Sequence, residues 1–135
     1  MRPIFSFLCS LLLWISLCWP SVALTNAQIS EGDRLTQTAI QAAKKGDLFT
    51  AEKIWSDLIE AFPQNPALWS NRGNTRASLN QFDAALDDLN EAIRLAPNQV
   101  EPYFNRGAIL EQQQRFSEAI ADYDKAIELD PQEAI

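Results

Sequence analysis

The side chains best suited by type to acid–base work, or to holding Ca²⁺, are the adjacent carboxylates Asp87 and Asp88. Neighbouring residues on a helix point in different directions, so this pair does not converge on one site and reads as part of a solvated face. The usual companions of catalysis are also missing. The chain has no His, its two cysteines, Cys9 and Cys18, lie in an apolar N-terminal run, and Gly46, Gly73 and Gly107 are isolated rather than gathered into a phosphate-binding loop. The expectation is therefore no catalytic residue, no metal and no small-molecule cofactor. What stands out instead is a chemistry of recognition. Asn71-Arg72-Gly73 recurs as Asn105-Arg106-Gly107. Amide side chains both donate and accept, and the guanidinium stems can pack between helices while reaching an acid such as Asp88 or Asp122.

That recurrence belongs to a longer one at an offset of 34 residues, in which Phe82, Ala85, Asp88, Ala92, Ile93, Leu95 and Pro97 return as Phe116, Ala119, Asp122, Ala126, Ile127, Leu129 and Pro131. A weaker copy lies one period earlier, where Ala39, Leu48, Ala51, Ile59 and Pro63 take the places of Gly73, Phe82, Ala85, Ile93 and Pro97. Each period predicts two helices and a tight turn. The boundaries expected are 33–45 and 49–61, 67–79 and 83–95, then 101–113 and 117–129. Pro63, Pro66, Pro97, Pro102 and Pro131 all fall at these boundaries, where proline avoids the roughly 3 kcal/mol it costs in a helix interior. Small residues (Gly73, Gly107, Ala85, Ala92, Ala119, Ala126) let backbones approach. Around them large groups such as Trp69, Leu89, Tyr103 and Tyr123 recur at helical spacing and are expected in the core. One such hairpin cannot stand alone, but three stacked pairs bury a continuous core.

The start of the chain has a different character. After Arg2 an apolar run extends from Ile4 to Trp19, followed by Pro20, Ser21, Val22 and Ala23. This is the pattern of a secretory signal cut after Ala23, and the run is shorter than the ~20 residues a membrane span requires. An uncleaved anchor tethering the protein to a membrane is the alternative. The bulky Leu17 argues against lipid attachment at Cys18. Export to a periplasm or a thylakoid lumen is expected, with contact to the membrane only through the signal segment. The mature part would hold no thiol. Without Arg2, ten basic residues stand against 18 acidic ones, a net charge of −8, which disfavours nucleic acid as a partner because phosphate affinity needs clustered Lys and Arg.

These residues resemble the tetratricopeptide repeat. The aromatic, small, Ala, large, Ala and Pro positions of that family's pattern are met by Trp69, Gly73, Ala85, Leu89, Ala92 and Pro97. Tyr103, Gly107, Ala119, Tyr123, Ala126 and Pro131 meet them again. A divergent copy offers Leu35, Ala39, Ala51, Trp55, Leu58 and Pro63, with Leu58 in place of an alanine. The organisation expected is a signal over 1–23, a short lead over 24–31, repeats over 32–65, 66–99 and 100–133, and 134–135 as the start of a further repeat or the chain end. The Asn-Arg-Gly openings look like copies common in bacterial and photosynthetic-membrane members.

The resemblance implies an all-α solenoid, a right-handed superhelix whose first helices line a concave groove for a protein or an extended peptide. The lining it implies is Thr36, Gln37, Ile40 and Lys44; Ser70, Asn71, Asn74 and Ser78; and Glu101, Phe104, Asn105, Ala108 and Gln112. Asn71 and Asn105 could instead bond within or between helices. A known mode of the family clamps a partner's C-terminal carboxylate with Lys, Asn and Arg. Here only Asn71 matches, while Thr36, Ile40, Glu101 and Asn105 stand where the other groups belong, so binding of chaperone tails is not expected. A non-catalytic scaffold for assembly or stability of an extracytoplasmic or membrane complex follows. A competing reading makes the chain the opening segment of a longer enzyme or transporter accessory, and self-association through an exposed last helix is a further expectation.

Overall fold

Three left-handed residues, one per repeat, turn the chain back on itself. Gly46, Asn80 and Gln114 have φ of 82°, 61° and 60°. After each, the next amide closes on a carbonyl five residues back: Asp47 N–H to Ala42 at 2.9 Å, Gln81 N–H to Arg76 at 2.9 Å, and Arg115 N–H to Leu110 at 2.8 Å. The turn residue's own N–H reaches Ala43, Ala77 or Glu111. Paired bonds of this kind satisfy the carbonyls that a helix end leaves open. Asp47 then serves the next helix as well, its carboxylate accepting from the Thr50 N–H at 3.2 Å.

In this computed structural model, which describes residues 26–132, the elements in order are α1 (Asn26–Lys44), α2 (Leu48–Ala61), α3 (Pro66–Ser78), α4 (Phe82–Leu95), α5 (Val100–Gln112) and α6 (Phe116–Leu129). There is no strand among the described residues. The packing described below belongs to the unit 31–135. The expected export segment, 1–23, and residues 134–135 lie outside the described residues. Except at the start of α1, the helix ends lie within one residue of those the repeat implies. α1 begins well before Asp33, because nothing from 26 to 32 breaks a helix. Its Gly32 sits against the Phe62 ring, where an added Cβ would come within 3.2 Å. Pro66 opens α3 and Pro102 lies in the first turn of α5, where the missing N–H has no intrahelical acceptor to lose.

The helices stack as hairpins into a solenoid. Ala39, Ala51, Trp55, Leu58, Ile59 and Leu68 form one buried cluster shared by α1, α2 and α3. Ala85, Leu86, Leu89, Ile109, Leu110 and Ala119 form another, shared by α4, α5 and α6. Trp55 and Leu89 are essentially sealed from solvent, each contributing about 1.5–3 kcal/mol by burial. Gly73 marks the closest approach within the middle hairpin. A Cβ there would stand 3.0 Å from Leu89 Cγ and 3.2 Å from the Ala85 carbonyl oxygen.

Two polar devices repeat with the same period. The Trp69 indole N–H donates to the Pro63 carbonyl at 2.8 Å, and the Tyr103 hydroxyl donates to the Pro97 carbonyl at 3.0 Å, so each aromatic fastens the linker that precedes its own hairpin. The second device is an arginine staple. Arg72 grips Asp88 with two bonds of 2.9 and 2.7 Å, reaches Ser56 on the previous hairpin at 3.1 Å and lies 5.0 Å over the Trp69 ring. Arg106 does the same to Asp122 at 2.7 and 2.6 Å, to Asn90 at 2.7 Å, and to the Tyr103 ring at 5.8 Å. Hydrogen bonding to Asp122 is the main cause holding the Arg106 guanidinium above its ordinary pKa. Arg76 adds a third bond to Asp88, at 3.0 Å, and one to Glu52 at 2.9 Å.

Removing one member of a buried ion pair strands the other, so Asp88→Ala is expected to cost about 3–5 kcal/mol in urea unfolding, and Asp122→Ala, which frees one guanidinium rather than two, less. The left-handed turn gives the opposite sign. Gln114→Gly should raise stability by about 0.5–1 kcal/mol, since the strain relieved exceeds the extra chain entropy lost; unchanged or lower thermal stability would contradict the turn assignment.

Candidate recognition groove

The residues expected to line a groove stand on the first helices α1, α3 and α5. Between α1 and α3 lies an open hollow of about 220 Å³, lined by Ile40, Ala43 and Lys44 from α1, Asn71, Asn74, Thr75 and Ser78 from α3, and Trp55 from α2. Five of the residues expected in the groove, Ile40, Lys44, Asn71, Asn74 and Ser78, are thus brought together. The Asn71 side-chain amide has no hydrogen-bond partner among the described residues, and its backbone carbonyl accepts from the Thr75 hydroxyl at 2.8 Å. Ser78 likewise turns its hydroxyl onto the Asn74 carbonyl at 3.1 Å.

Trp55 was expected as the large residue of the divergent first copy, not as part of the groove. It is 1 % exposed, yet its indole N–H is buried without a hydrogen-bond partner among the described residues. Such a donor normally costs about 1–3 kcal/mol if left unpaired. With essentially no surface open to solvent, that N–H is out of a ligand's reach, and Trp55 borders the hollow without offering the donor to it. Thr75 and Ala43 were also missed. The helical period could have found them, because Thr75 stands four residues after Asn71 and Ala43 three after Ile40.

Further along, Glu101 on α5 accepts from the Asn74 and Asn105 amides, each at 3.3 Å. For Asn105 the bond within a helix is therefore the one realised, and Asn74 is tied to the neighbouring first helix. Phe104 is 57 % exposed, with its ring centroid 5.6 Å from that of Tyr123 and tilted by 51°. The Tyr123 hydroxyl donates to Glu111 at 2.9 Å; desolvation first, and then that hydrogen bond, push the phenol pKa up. Gln37, Lys44 and Gln112 are exposed, Thr36 and Ala108 half-buried.

Ser70 departs from the expectation. It is 4 % exposed, and its hydroxyl is buried without a partner among the described residues, so it does not face an open groove. α3 is the middle first helix, packed against α2, α4 and α5, and this position is roofed where the end helices leave Thr36 half-buried and Phe104 exposed.

The geometry offers hydrogen-bond donors and acceptors, one lysine, one carboxylate and two apolar contacts along a concave wall. A model described as tetratricopeptide repeat matches residues 100–133, and one described as TPR repeat matches residues 73–114. Tetratricopeptide repeat protein 28 of Homo sapiens is 38 % identical over 64 residues, 47 % of this chain but only 3 % of that protein. Among solved structures, the first TPR of Spaghetti (RPAP3) bound to the HSP90 peptide SRMEEVD is 29 % identical, with a TM-score of 0.72 over 76 % of this chain and 81 % of that one. The first TPR domain of the human RPAP3 protein is 30 % identical, with a TM-score of 0.71 over 74 % and 79 %. With its arginine-stapled hairpins and the groove between their first helices, this chain belongs to the tetratricopeptide repeat family.

Proposed function

We propose that the protein is a non-catalytic scaffold that clasps an extended peptide segment of a partner protein in the groove of α1, α3 and α5. The observation that carries this reading is the hollow between α1 and α3. There the Asn71 amide stands without a partner among the described residues, beside Lys44 and Ile40. Extended peptides present a main-chain carbonyl or amide at every residue, and amide side chains answer both. The similarity to a domain bound to a peptide supports the same use of the groove.

The ligand differs from that domain's acidic peptide. Glu101 is exposed in the groove and Ile40 lines the hollow, so a tail rich in carboxylates meets a like charge and an aliphatic group. A peptide with uncharged side chains fits the lining better. Export is part of the proposal, supported by Arg2, the apolar run from Ile4 to Trp19 and the small residues Ser21 and Ala23. On that reading the scaffold serves assembly or stability of an extracytoplasmic or membrane complex.

Peptides selected from a random display library on the full chain provide the test. Asn71→Ala with Asn105→Ala should weaken the selected peptides roughly tenfold, from about one lost hydrogen bond or slightly more, while helicity by circular dichroism stays intact. Equal affinity for the variant would remove the groove assignment. A peptide ending in SRMEEVD should bind no better than its scrambled form, and tight binding of it would overturn the stated preference.

A further inference from the structure

Two faces of one kind are already covered inside the molecule. α2 offers Ser56 to Arg72 of α3, and α4 offers Asn90 to Arg106 of α5. The third member of this series at the repeat spacing is Asp124 on α6, which is exposed and has no partner among the described residues. Beside it Phe116, Ile120 and Ile127 are 57 %, 59 % and 47 % exposed. Their equivalents one repeat earlier, Phe82, Leu86 and Ile93, are half-buried or buried, with Leu86 and Phe82 packed in the cluster that includes Ile109 and Leu110 of α5.

We infer that this face of α6 docks an amphipathic helix from a partner protein, which presents an arginine to Asp124 and small and aliphatic residues to Phe116, Ile120 and Ile127. The mode is the one α5 already uses on α4. It differs in one respect: the neutral acceptors Ser56 and Asn90 give way to a carboxylate. A carboxylate adds the attraction of opposite charges to the guanidinium bond and favours a cation over any neutral donor. This charge also argues against a second copy as the occupant. α6 carries Glu118, Asp122, Asp124 and Glu128 against Lys125, so two copies of it repel each other. The exposed side of α1, with Arg34, Gln37, Thr38 and Gln41, offers no apolar stripe to cover the isoleucines. The face belongs to a second helix and is independent of the groove on the first helices.

The probe is a synthetic peptide of residues 98–113 of this same sequence, locked helical because so short a helix is marginal alone, titrated into the full chain and followed by amide chemical shifts. Shifts should concentrate on α6. Asp124→Lys should weaken binding about tenfold or more, and an Arg106→Glu peptide should restore it to that variant while losing affinity for the original chain. The groove variant Asn71→Ala with Asn105→Ala should bind this peptide unchanged, which separates the outcome from that of the groove reading. Absence of binding, shifts outside α6, or a change below twofold with Asp124→Lys would overturn the inference. So would sedimentation showing a dimer that Ile120→Asp dissociates, since the occupant would then be a second copy.

Discussion

Placing the Asp88 and Asp122 carboxylates between stacked helices is costly unless each is bonded, and the architecture follows from how that cost is met. The side chains of Asp88 and Asp122 are 3 % and 8 % exposed, and each is gripped in bidentate fashion by an arginine from the other helix of its own hairpin. Bidentate geometry fixes both the spacing and the rotation of the two helices. Because the third guanidinium nitrogen then reaches Ser56 or Asn90 on the hairpin before, the same bond set also fixes how one hairpin sits on the last. Apolar burial supplies most of the stability, but it is tolerant of sliding; the arginines are not.

Where the staple is missing, the reason is local. In the first hairpin Thr38 and Ile54 occupy the places of Arg72 and Asp88, and the Thr38 hydroxyl turns back to the Arg34 carbonyl at 2.9 Å. Specificity there rests on the larger apolar set around Trp55, Leu58 and Ile59. The second junction departs from the first in another way. Glu52 and Arg76, paired at 2.9 Å, are replaced one repeat later by Leu86 and Leu110, both buried. An ion pair and a leucine pair thus do the same positional work, which is consistent with a pair of that kind being near-neutral for stability when swapped as a unit.

Most of the fold was legible because periodicity over-determines it. Asn-Arg-Gly, the alanines and the prolines each mark the same register, so no single ambiguity could shift the helices. The start of α1 was not legible, because Asn26 to Gly32 contains no stop signal and the repeat pattern is silent there. In the groove the pattern placed Ile40, Lys44, Asn71, Asn74 and Ser78 on one wall, but it missed the burial of Ser70. Spacing along one helix says which way a residue points and not what stands in front of it. The Glu101 bridge between Asn74 and Asn105 was hidden for the same reason: it joins residues 27 apart in sequence across two helices. Trp55 illustrates a third limit. Its burial follows from its type and place, whereas the want of an acceptor for its indole is a property of every neighbour at once.

The division between satisfied and unsatisfied polar groups matches the division between frame and working surface. On the side where hairpins join, every guanidinium nitrogen of Arg72 and Arg106 has an acceptor. Along the first helices the accounting is open, with the Asn71 amide lacking a partner among the described residues. A frame whose own polar groups are closed keeps its shape without a ligand, so a binding segment need not supply the energy of ordering it.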